Sequence, residues 1–311
     1  MLAIFLKTLP FFALIGIGYL AGRTRFFTEE ATAYLTRFVF YFALSAMLFG
    51  FAANLDVAAI FSWPFVFAYL LGTTVVWLAV AAVALARRVS TEEAVFEAHT
   101  GVIGNVGFLG IPMLALLLGP EAVGPVLLVL AVDLIVFSSI LTMAITGLRA
   151  GRVSAQTVGI LALGLAKNPM IGSVGLGILW GTTGLELPVP VNEFLTLLGA
   201  AATPCALFAI GASLSGRSAE RVEVAAWLSF CKLFLHPAAV AVACWLFDVK
   251  GFQAGVMIAA AALPVAGNVF ILAQHYRVAP QRVSTAILLS TAGSVLTVTA
   301  AIALIGQGGY L

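Results

Sequence analysis

Long apolar runs follow one another along almost the whole of this 311-residue chain. A helix that crosses a bilayer needs about 20 predominantly apolar residues. Ten such runs lie near residues 1–21, 33–52, 60–86, 94–118, 121–148, 169–185, 193–216, 223–247, 251–275 and 283–307. They are separated only by short charged or Gly- and Pro-containing segments. The pattern predicts an all-α membrane protein with ten transmembrane helices, numbered 1 to 10 in chain order.

The composition excludes most soluble enzyme classes. Hydrophobic residues make up 62% of the chain and charged residues only 9%, where a soluble domain carries roughly a quarter charged residues. The net charge is +2 and the basic residues are dispersed, so no nucleic-acid-binding surface is expected. Metalloprotease, nucleophile-elbow and P-loop motifs are absent from the sequence. We therefore expect no enzyme activity and no ATP or redox cofactor. Cys205, Cys231 and Cys244 lie inside apolar runs and are expected to be buried rather than to bind a metal.

The distribution of basic residues between alternate loops predicts the orientation. Positive residues resist translocation across the membrane. The loops after even-numbered helices contain only Lys250, whereas those after odd-numbered helices contain Arg23, Arg25, Arg87, Arg88, Arg149, Arg152, Lys167, Arg217, Arg221, Arg277 and Arg282. We therefore expect a multi-pass protein of the cell inner (plasma) membrane with both termini outside.

The two halves of the chain resemble each other at a fixed offset of 159 residues. The segment from Pro10 to Gly22 aligns without a gap with the segment from Pro169 to Gly181, and the same offset places Asn105 on Pro264. The expected organisation is a first five-helix repeat at 1–148, a cytoplasmic linker at 149–168 and a second repeat at 169–311. Because five is odd, the second repeat must be inverted in the membrane, which is typical of secondary transporters.

Helices 4 and 9 both contain residues that interrupt a helix. Helix 4 reads Gly101-Val-Ile-Gly-Asn-Val-Gly-Phe-Leu-Gly-Ile-Pro112, and helix 9 contains Leu263-Pro-Val-Ala-Gly-Asn-Val. At 1.5 Å per residue, Asn105 lies roughly 16 Å and Pro264 roughly 20 Å from the respective helix starts. We expect the two broken helices to cross at the bilayer centre, where free amides would face an anion. The alternative is that Gly and Pro only permit close packing.

Several motifs together resemble those of the auxin efflux carrier family. They are Gly104-Asn-Val-Gly-Phe-Leu-Gly-Ile-Pro112, Lys167-Asn-Pro169, Pro204-Cys-Ala-Leu-Phe-Ala-Ile-Gly211, Lys232-Leu-Phe-Leu-His-Pro237 and Leu263-Pro-Val-Ala-Gly-Asn-Val-Phe-Ile-Leu-Ala-Gln274. The resemblance implies a fold similar to that of bile-acid carriers and bacterial sodium/proton antiporters. In that fold helices 1, 2, 6 and 7 form a scaffold and helices 3–5 and 8–10 a mobile transport domain.

The resemblance also implies organic-anion substrates, such as malonate in bacterial relatives and indole-acetate in plant relatives, and a homodimer through the scaffold. Two features depart from the family pattern: Ser45 stands where relatives often have Pro, and the short linker at 149–168 is typical of a prokaryotic carrier. We expect Asn105, Pro112, Pro264 and Asn268 to bind the substrate.

Two charges lie deep in the predicted membrane spans. Asp133 is roughly 18 Å into helix 5 and Lys232 roughly 14 Å into helix 8, where a buried charge costs several kcal/mol. One interpretation is a static ion pair between them; the other is that Asp133 alternately binds H⁺, Na⁺ or Lys232 during transport. Glu97 and His99 are expected to be a solvated pair at the mouth of helix 4, with a role as gate residues as the alternative. His236 is expected to pack or to cap backbone rather than to relay protons.

A secondary carrier accounts for the repeat, the breaks and the buried Asp133 together. We expect it to move organic anions by an elevator-like alternating-access mechanism, with H⁺ or Na⁺ coupling as an open question. An uncoupled uniporter or channel that uses the same site is the alternative.

Overall fold

The structure, a computed structural model, describes residues 2–54, 61–150, 166–216 and 221–307, together with residues 159, 163 and 164. Within these residues the chain is helical and no strand is present. The helices are α1 (Leu2–Arg23), α2 (Glu29–Ala53), α3 (Trp63–Ala86), α4a (Thr91–Thr100), α4b (Val106–Leu118), α5 (Pro120–Arg149), α6 (Pro169–Gly181), α7 (Val189–Ser215), α8 (Val222–Leu246), α9a (Gly251–Ala261), α9b (Gly267–Tyr276) and α10 (Pro280–Gln307).

Seven of these helices are long and apolar enough to cross a membrane. They are α1, α2, α3, α5, α7, α8 and α10. The apolar helices α4b, α6 and α9a are shorter, with 10 to 17 residues each. Two of the three belong to predicted helices 4 and 9, which are shortened because the chain leaves the helical conformation partway. The predicted linker at 149–168 falls largely outside the described residues, as do Arg152 and Arg217.

The interruptions lie at residues 101–105 and 262–266. The first contains Gly101 and Gly104 and the second contains Pro264. Glycine costs about 1 kcal/mol and proline about 3 kcal/mol in a helix interior, so both segments leave the helix where the sequence is least compatible with it. Each interruption leaves the ends of two half-helices inside the apolar region.

Four helices contain a π-helical turn, in which one extra residue is accommodated. The turns are Val39–Ala43, Val106–Gly110, Asp133–Phe137 and Cys231–Leu235. In α5 the Asp133 carbonyl accepts the Ser138 backbone amide and also the Ser138 hydroxyl, the latter at 3.1 Å. Such turns are frequent at functional sites, and here two of them contain the buried charged residues Asp133 and Lys232.

The chain divides into two compact units. One unit comprises the first residues of α1 together with α3, α4a, α4b, α5, α8, α9a, α9b and α10. The start of α1 joins this unit through Thr8, whose hydroxyl oxygen lies 3.2 Å from that of Thr299 in α10.

The other unit comprises the remainder of α1 with α2, α6 and α7. Here α6 packs closely on α2 at Gly177, where a Cβ would lie 2.7 Å from the Ala52 Cβ and from the Phe49 carbonyl oxygen. Small residues allow this approach of two membrane helices. All the predicted binding and coupling residues lie in the first unit.

Candidate functional site

The two interrupted segments pair with each other through their backbones. The Asn105 amide donates to the Pro264 carbonyl at 2.8 Å, and the Ala266 amide donates to the Ile103 carbonyl at 3.1 Å. Gly104 and Val265 thereby form an antiparallel bridge. Backbone groups that leave a helix inside a membrane must find partners in the protein or in a watery cavity. The hydrogen bonds between the two breaks provide partners for some of these backbone groups.

A side chain from α10 completes the pairing of the second break. The Val265 amide donates to the Ser290 hydroxyl at 3.1 Å, and Ser290 is fully buried. The hydroxyl in turn donates to the Ile287 carbonyl at 3.2 Å. Ser290 therefore holds the second break against α10.

The ends of the half-helices give this region its electrostatic character. The helix that begins at Val106 and the helix that begins at Gly267 both start at the paired segments, whereas α9a ends there at Ala261. First-turn amides and last-turn carbonyls have no partner inside their own helix. Helix starts therefore favour anions and helix ends favour cations. With the end of α4a at Thr100, the paired breaks thus present two anion-favouring starts and two cation-favouring ends within a single unit.

Lys232 occupies the cation-favouring end of α9a. Its side chain is fully buried, and its ammonium donates to the Ala261 carbonyl and to Nδ1 of His236, the latter at 3.1 Å. Its Nζ and Cε lie 3.2 Å from the position that a Cβ on Gly104 would take. An ammonium has three N–H groups. Within the part of the chain that is described, two of these N–H groups have acceptors and the third has none.

Asp133 has one bonded and one unbonded oxygen. Its side chain is 2% exposed, and Oδ1 accepts a hydrogen bond from the Tyr69 hydroxyl at 2.9 Å. Oδ2 is buried and has no hydrogen-bond partner among the described residues. No direct ion pair between Asp133 and Lys232 occurs in those residues, so the static pair considered from the sequence is not formed. Lys232 instead neutralises the end of α9a.

His236 links Lys232 to α3. It is fully buried, and its Nε2 lies 3.0 Å from the Thr73 hydroxyl oxygen. Its ring centroid is 5.8 Å from that of Tyr69, one helical turn before Thr73. His236 therefore contacts Tyr69 and Thr73 of this apolar helix and does more than pack.

Glu97 and His99 are not solvated, and the prediction of a solvated pair is wrong. Glu97 is 1% exposed and binds Arg87 through one carboxylate oxygen and Arg282 through the other. Arg282 lies in the first turn of α10 and also reaches Glu93, at 3.5 Å. His99 is fully buried, and neither ring nitrogen has a hydrogen-bond partner among the described residues. Tertiary packing of α4a against its neighbours, which the short local pattern does not encode, buries both.

A second ion pair ties α4a to α5 and α9b. The Arg149 guanidinium binds both oxygens of Glu92, at 2.9 and 2.8 Å, and donates to the Tyr276 carbonyl at 2.7 Å. The hydrogen bonds from Arg149 hold the pKa of the Glu92 carboxyl below its ordinary value. This surface pair therefore weakens when the pH falls far enough to protonate Glu92.

Comparison with known proteins decides the family. A family described as membrane transport protein matches residues 3–302. The chain belongs to this family. It is the family of the auxin efflux carriers, which the motifs of the two interrupted helices had indicated.

Relatives from bacteria and plants agree with this membership. A proposed malonate transporter of Rhizobium meliloti (strain 1021) is 34% identical over 309 residues, which cover 96% of this chain and 95% of the relative. The uncharacterized transporter YfdV of Escherichia coli (strain K12) is 24% identical over 302 residues, or 93% of each chain. A protein of Oryza sativa subsp. japonica named probable auxin efflux carrier component 1b is 27% identical over 131 residues, which cover 40% of this chain and 24% of the plant protein. This protein is therefore a membrane transporter, and not an enzyme.

The structure places the predicted binding residues of this transporter as follows. Asn105 and Pro264 are joined through their backbones. Asn268 lies in the first turn of α9b, and its Oδ1 is buried without a hydrogen-bond partner in the described part of the chain. Pro112 lies in α4b, about two helical turns beyond Asn105. The two asparagines and Pro264 therefore belong to the paired breaks, and Pro112 lies further along.

Four polar residues near the paired breaks were not selected as site residues from the sequence. They are Tyr69, Thr73, His236 and Ser290. Two features of the sequence could have identified the residues of α3. Tyr69 and Thr73 are four residues apart and so lie on one face of an apolar helix, and the 159-residue offset between the two halves of the chain aligns Thr73 with Lys232. The sequence places Ser290 in a polar stripe with Ser294. Its hydrogen bond to Val265 could not be predicted, because it depends on a tertiary contact.

A methyl group at Gly104 should disturb the transporter through Lys232. In Gly104→Ala the new Cβ would lie 3.2 Å from Nζ and Cε of Lys232, whose ammonium is held in place by its two hydrogen bonds. The ammonium must shift and weaken one of them, so we expect substrate uptake to fall by about 10-fold. Uptake of a radiolabelled substrate into proteoliposomes measures the effect.

Gly175→Ala is the matched control, because no heavy atom lies within 4 Å of its added Cβ. Equal uptake by the Gly104 and Gly175 variants would show that the position of Lys232 is unimportant.

Proposed function

We propose that this protein is a secondary transporter of small organic anions, in which the carboxylate binds at the paired breaks. The observation that carries the proposal is the pairing itself: two helices are interrupted inside the membrane-embedded region and joined by hydrogen bonds beside the buried ammonium of Lys232. Transporter sites typically form at such discontinuous helices. Asn105, Pro264, Asn268 and Pro112 would line this site.

The charges of the site favour an anion. The two helix starts carry partial positive charge, and the third N–H of Lys232 is directed to no acceptor among the described residues. Charge-assisted hydrogen bonds of this kind are about twice as strong as neutral ones. The name of the Rhizobium relative supports a small carboxylate such as malonate.

An elevator-like movement is the mechanism we propose. The two compact units support it: one comprises α2, α6, α7 and most of α1, and the other comprises α3 to α5, α8 to α10 and the first residues of α1. The first would be the scaffold and the second the transport domain. The ion pairs of Glu97 and Glu92 join α4a to α3, α5, α9b and α10. These bonds favour movement of that unit as one body. Movement against the scaffold would expose the site to each side in turn.

The helix boundaries support an inverted repeat. Adding 159 to the bounds of α3 gives 222 and 245, while α8 spans Val222–Leu246. The same offset moves the bounds of the first interruption, 101–105, to 260–264, and the second interruption lies at 262–266. Two repeats of five membrane crossings would have opposite orientations. With the loop charges, this supports an inner-membrane protein with both termini outside.

The partners follow from the same proposal. The lipid bilayer surrounds the helices, a homodimer would form through the scaffold, and H⁺ or Na⁺ is the candidate coupling ion. The alternative is an uncoupled uniporter or channel for organic anions. A carrier saturates and is stimulated by substrate on the opposite side of the membrane, and a channel is not.

Asn105→Ala and Asn268→Ala test the location of the site. Each removes a polar group that no water would replace in an apolar region. Loss of one hydrogen bond to a charged ligand costs about 1.5–3 kcal/mol, so the apparent affinity for malonate should fall by about 10- to 100-fold. Binding is measured as the substrate-induced shift of the unfolding temperature over a panel of carboxylates, with and without Na⁺, and uptake is measured in proteoliposomes.

Asn192→Ala is the control of the same residue type, because Asn192 lies exposed on α7. Wild-type affinity in both site variants would place the substrate elsewhere and leave the breaks with a structural role.

A further inference from the structure

The direction in which Lys232 can donate a hydrogen bond to a ligand is set by its two acceptors. The ammonium donates to the Ala261 carbonyl, at the end of α9a, and to Nδ1 of His236, one helical turn further along α8, at 3.1 Å. The three N–H bonds of an ammonium have tetrahedral geometry, so two occupied N–H groups fix the direction of the third. The orientation of the ammonium therefore depends on His236 as well as on the interrupted helix.

His236 can act as this acceptor in only one form. A Lys ammonium only donates, so Nδ1 must carry no proton, and we assign the ring proton to Nε2 on this basis. The ring is then neutral, and its Nε2–H donates to the Thr73 hydroxyl oxygen, which lies 3.0 Å away. A buried N–H that lacks an acceptor is unfavourable. Thr73 therefore stabilises the tautomer of His236 that accepts from Lys232.

The packing of α3 on α8 brings Thr73 to His236. Gly72 precedes Thr73, and a Cβ on Gly72 would lie 2.8 Å from the Cα of Val240, which follows His236 by one helical turn. Glycine thus allows a close approach of the two helices at this level. Thr73, Lys232 and His236 are all fully buried. Water therefore does not replace either hydrogen bond when one partner is removed.

From this arrangement we propose, building on the proposed transport function, that His236 and Thr73 are positioning residues of the substrate site. They hold the Lys232 ammonium with its third N–H directed to the substrate carboxylate and do not touch the substrate themselves. Because His236 is a neutral acceptor, it orients the ammonium without cancelling its charge, whereas a carboxylate in its place would compete with the anion. An ammonium that is already oriented binds more tightly, because less freedom is lost on binding.

Thr73→Val tests the residue that lies further from the substrate. Valine keeps the shape of the side chain and removes the hydroxyl, so the Nε2–H of His236 loses its acceptor. The apparent dissociation constant for malonate should rise by about 3- to 10-fold, the range expected for one neutral hydrogen bond. The measurement is a titration of the substrate-induced unfolding-temperature shift with malonate.

Two variants serve as comparisons for Thr73→Val. Thr73→Ser keeps the hydroxyl and should restore most of the affinity that the valine variant loses. Thr74→Val is the matched control, because Thr74 lies exposed on the same helix. It should bind malonate as tightly as the wild type.

His236→Asn and His236→Gln test the acceptor itself. In asparagine the side-chain oxygen is bonded to Cγ, as Nδ1 is in histidine, so it can accept from Lys232 in the same place. The glutamine amide lies one bond further out, near the position of Nε2. We therefore expect the Asn variant to bind malonate about 3- to 10-fold more tightly than the Gln variant. Equal affinities would show that an acceptor at the position of Nδ1 is unimportant and would overturn the proposal.

A double-variant cycle distinguishes positioning from a general structural effect. If Thr73 acts only through Lys232, Thr73→Val should change the affinity of the Lys232→Met protein by less than about twofold, because coupled residues are not additive. An equal loss of affinity with and without the ammonium would overturn the proposal, as would unchanged affinity in Thr73→Val alone. If the wild-type protein binds neither malonate nor any other carboxylate of the panel, the proposed function fails, and this role fails with it.

Discussion

Lys232→Met should cause the largest loss of substrate binding of any single change in this transporter. The variant keeps the volume of the side chain and removes the ammonium that lies between the Ala261 carbonyl, His236 and the Gly104 backbone. A charge-assisted hydrogen bond to the proposed carboxylate contributes about 1.5–3 kcal/mol. Its loss should raise the apparent dissociation constant for malonate by about 10- to 100-fold. The measurement is a titration of the substrate-induced unfolding-temperature shift.

Lys250→Met provides the control, because the side chain of Lys250 is 77% exposed and pairs with Asp248 at the start of α9a. Removing a surface cation of the same type should leave binding unchanged. If Lys232→Met binds malonate as tightly as the wild type, the buried ammonium serves only to neutralise the end of α9a, and the carboxylate is held without it.

Glu97→Gln should produce the largest loss of stability. The Glu97 carboxylate is held between Arg87 and Arg282, and Arg282 is itself only 5% exposed. Removing one partner of a buried ion pair leaves an uncompensated charge and costs about 3–5 kcal/mol in the free energy of unfolding. The result is measured as a fall of the unfolding temperature in detergent.

Glu92→Gln is the comparison within the same helix. Glu92 and Arg149 are 28% and 46% exposed, and an exposed pair contributes about 0.2–1 kcal/mol. A similar small effect in both variants would mean that water reaches Glu97. The ion cluster would then not hold the transport unit together.

The two sets of predictions separate structure from transport. Loss of Glu97 should lower stability and leave substrate binding at the paired breaks unchanged, whereas loss of Lys232 should lower binding and leave the ion cluster of Glu97 intact. Both sets of residues belong to one compact unit. Comparison of the two variants therefore tests whether one region of that unit binds the substrate and another region, the ion cluster of Glu97, stabilises the fold.

Much of the fold could be predicted because it depends on local composition. Apolar runs of membrane length predict spanning helices whatever their neighbours. Gly101, Gly104 and Pro264 weaken the helix at their own positions, so the interruptions of α4 and α9 follow from the local sequence. The same reasoning identified Asp133 and Lys232, since a charge inside an apolar run is conspicuous by itself.

The partners of these residues were decided only by the tertiary structure. Asp133 bonds Tyr69, 64 residues away in the sequence, and His236 meets Thr73 at a separation of 163 residues. Lys232 binds a backbone carbonyl rather than Asp133, and Glu97 is buried between two arginines instead of being solvated. The sequence alone determined where apolar helices form, where two of them break and which charges lie inside apolar segments, because those properties depend on neighbouring residues. The choice of partners needed the packed helices, because a side chain can bond only to groups that distant segments bring within about 3 Å of it.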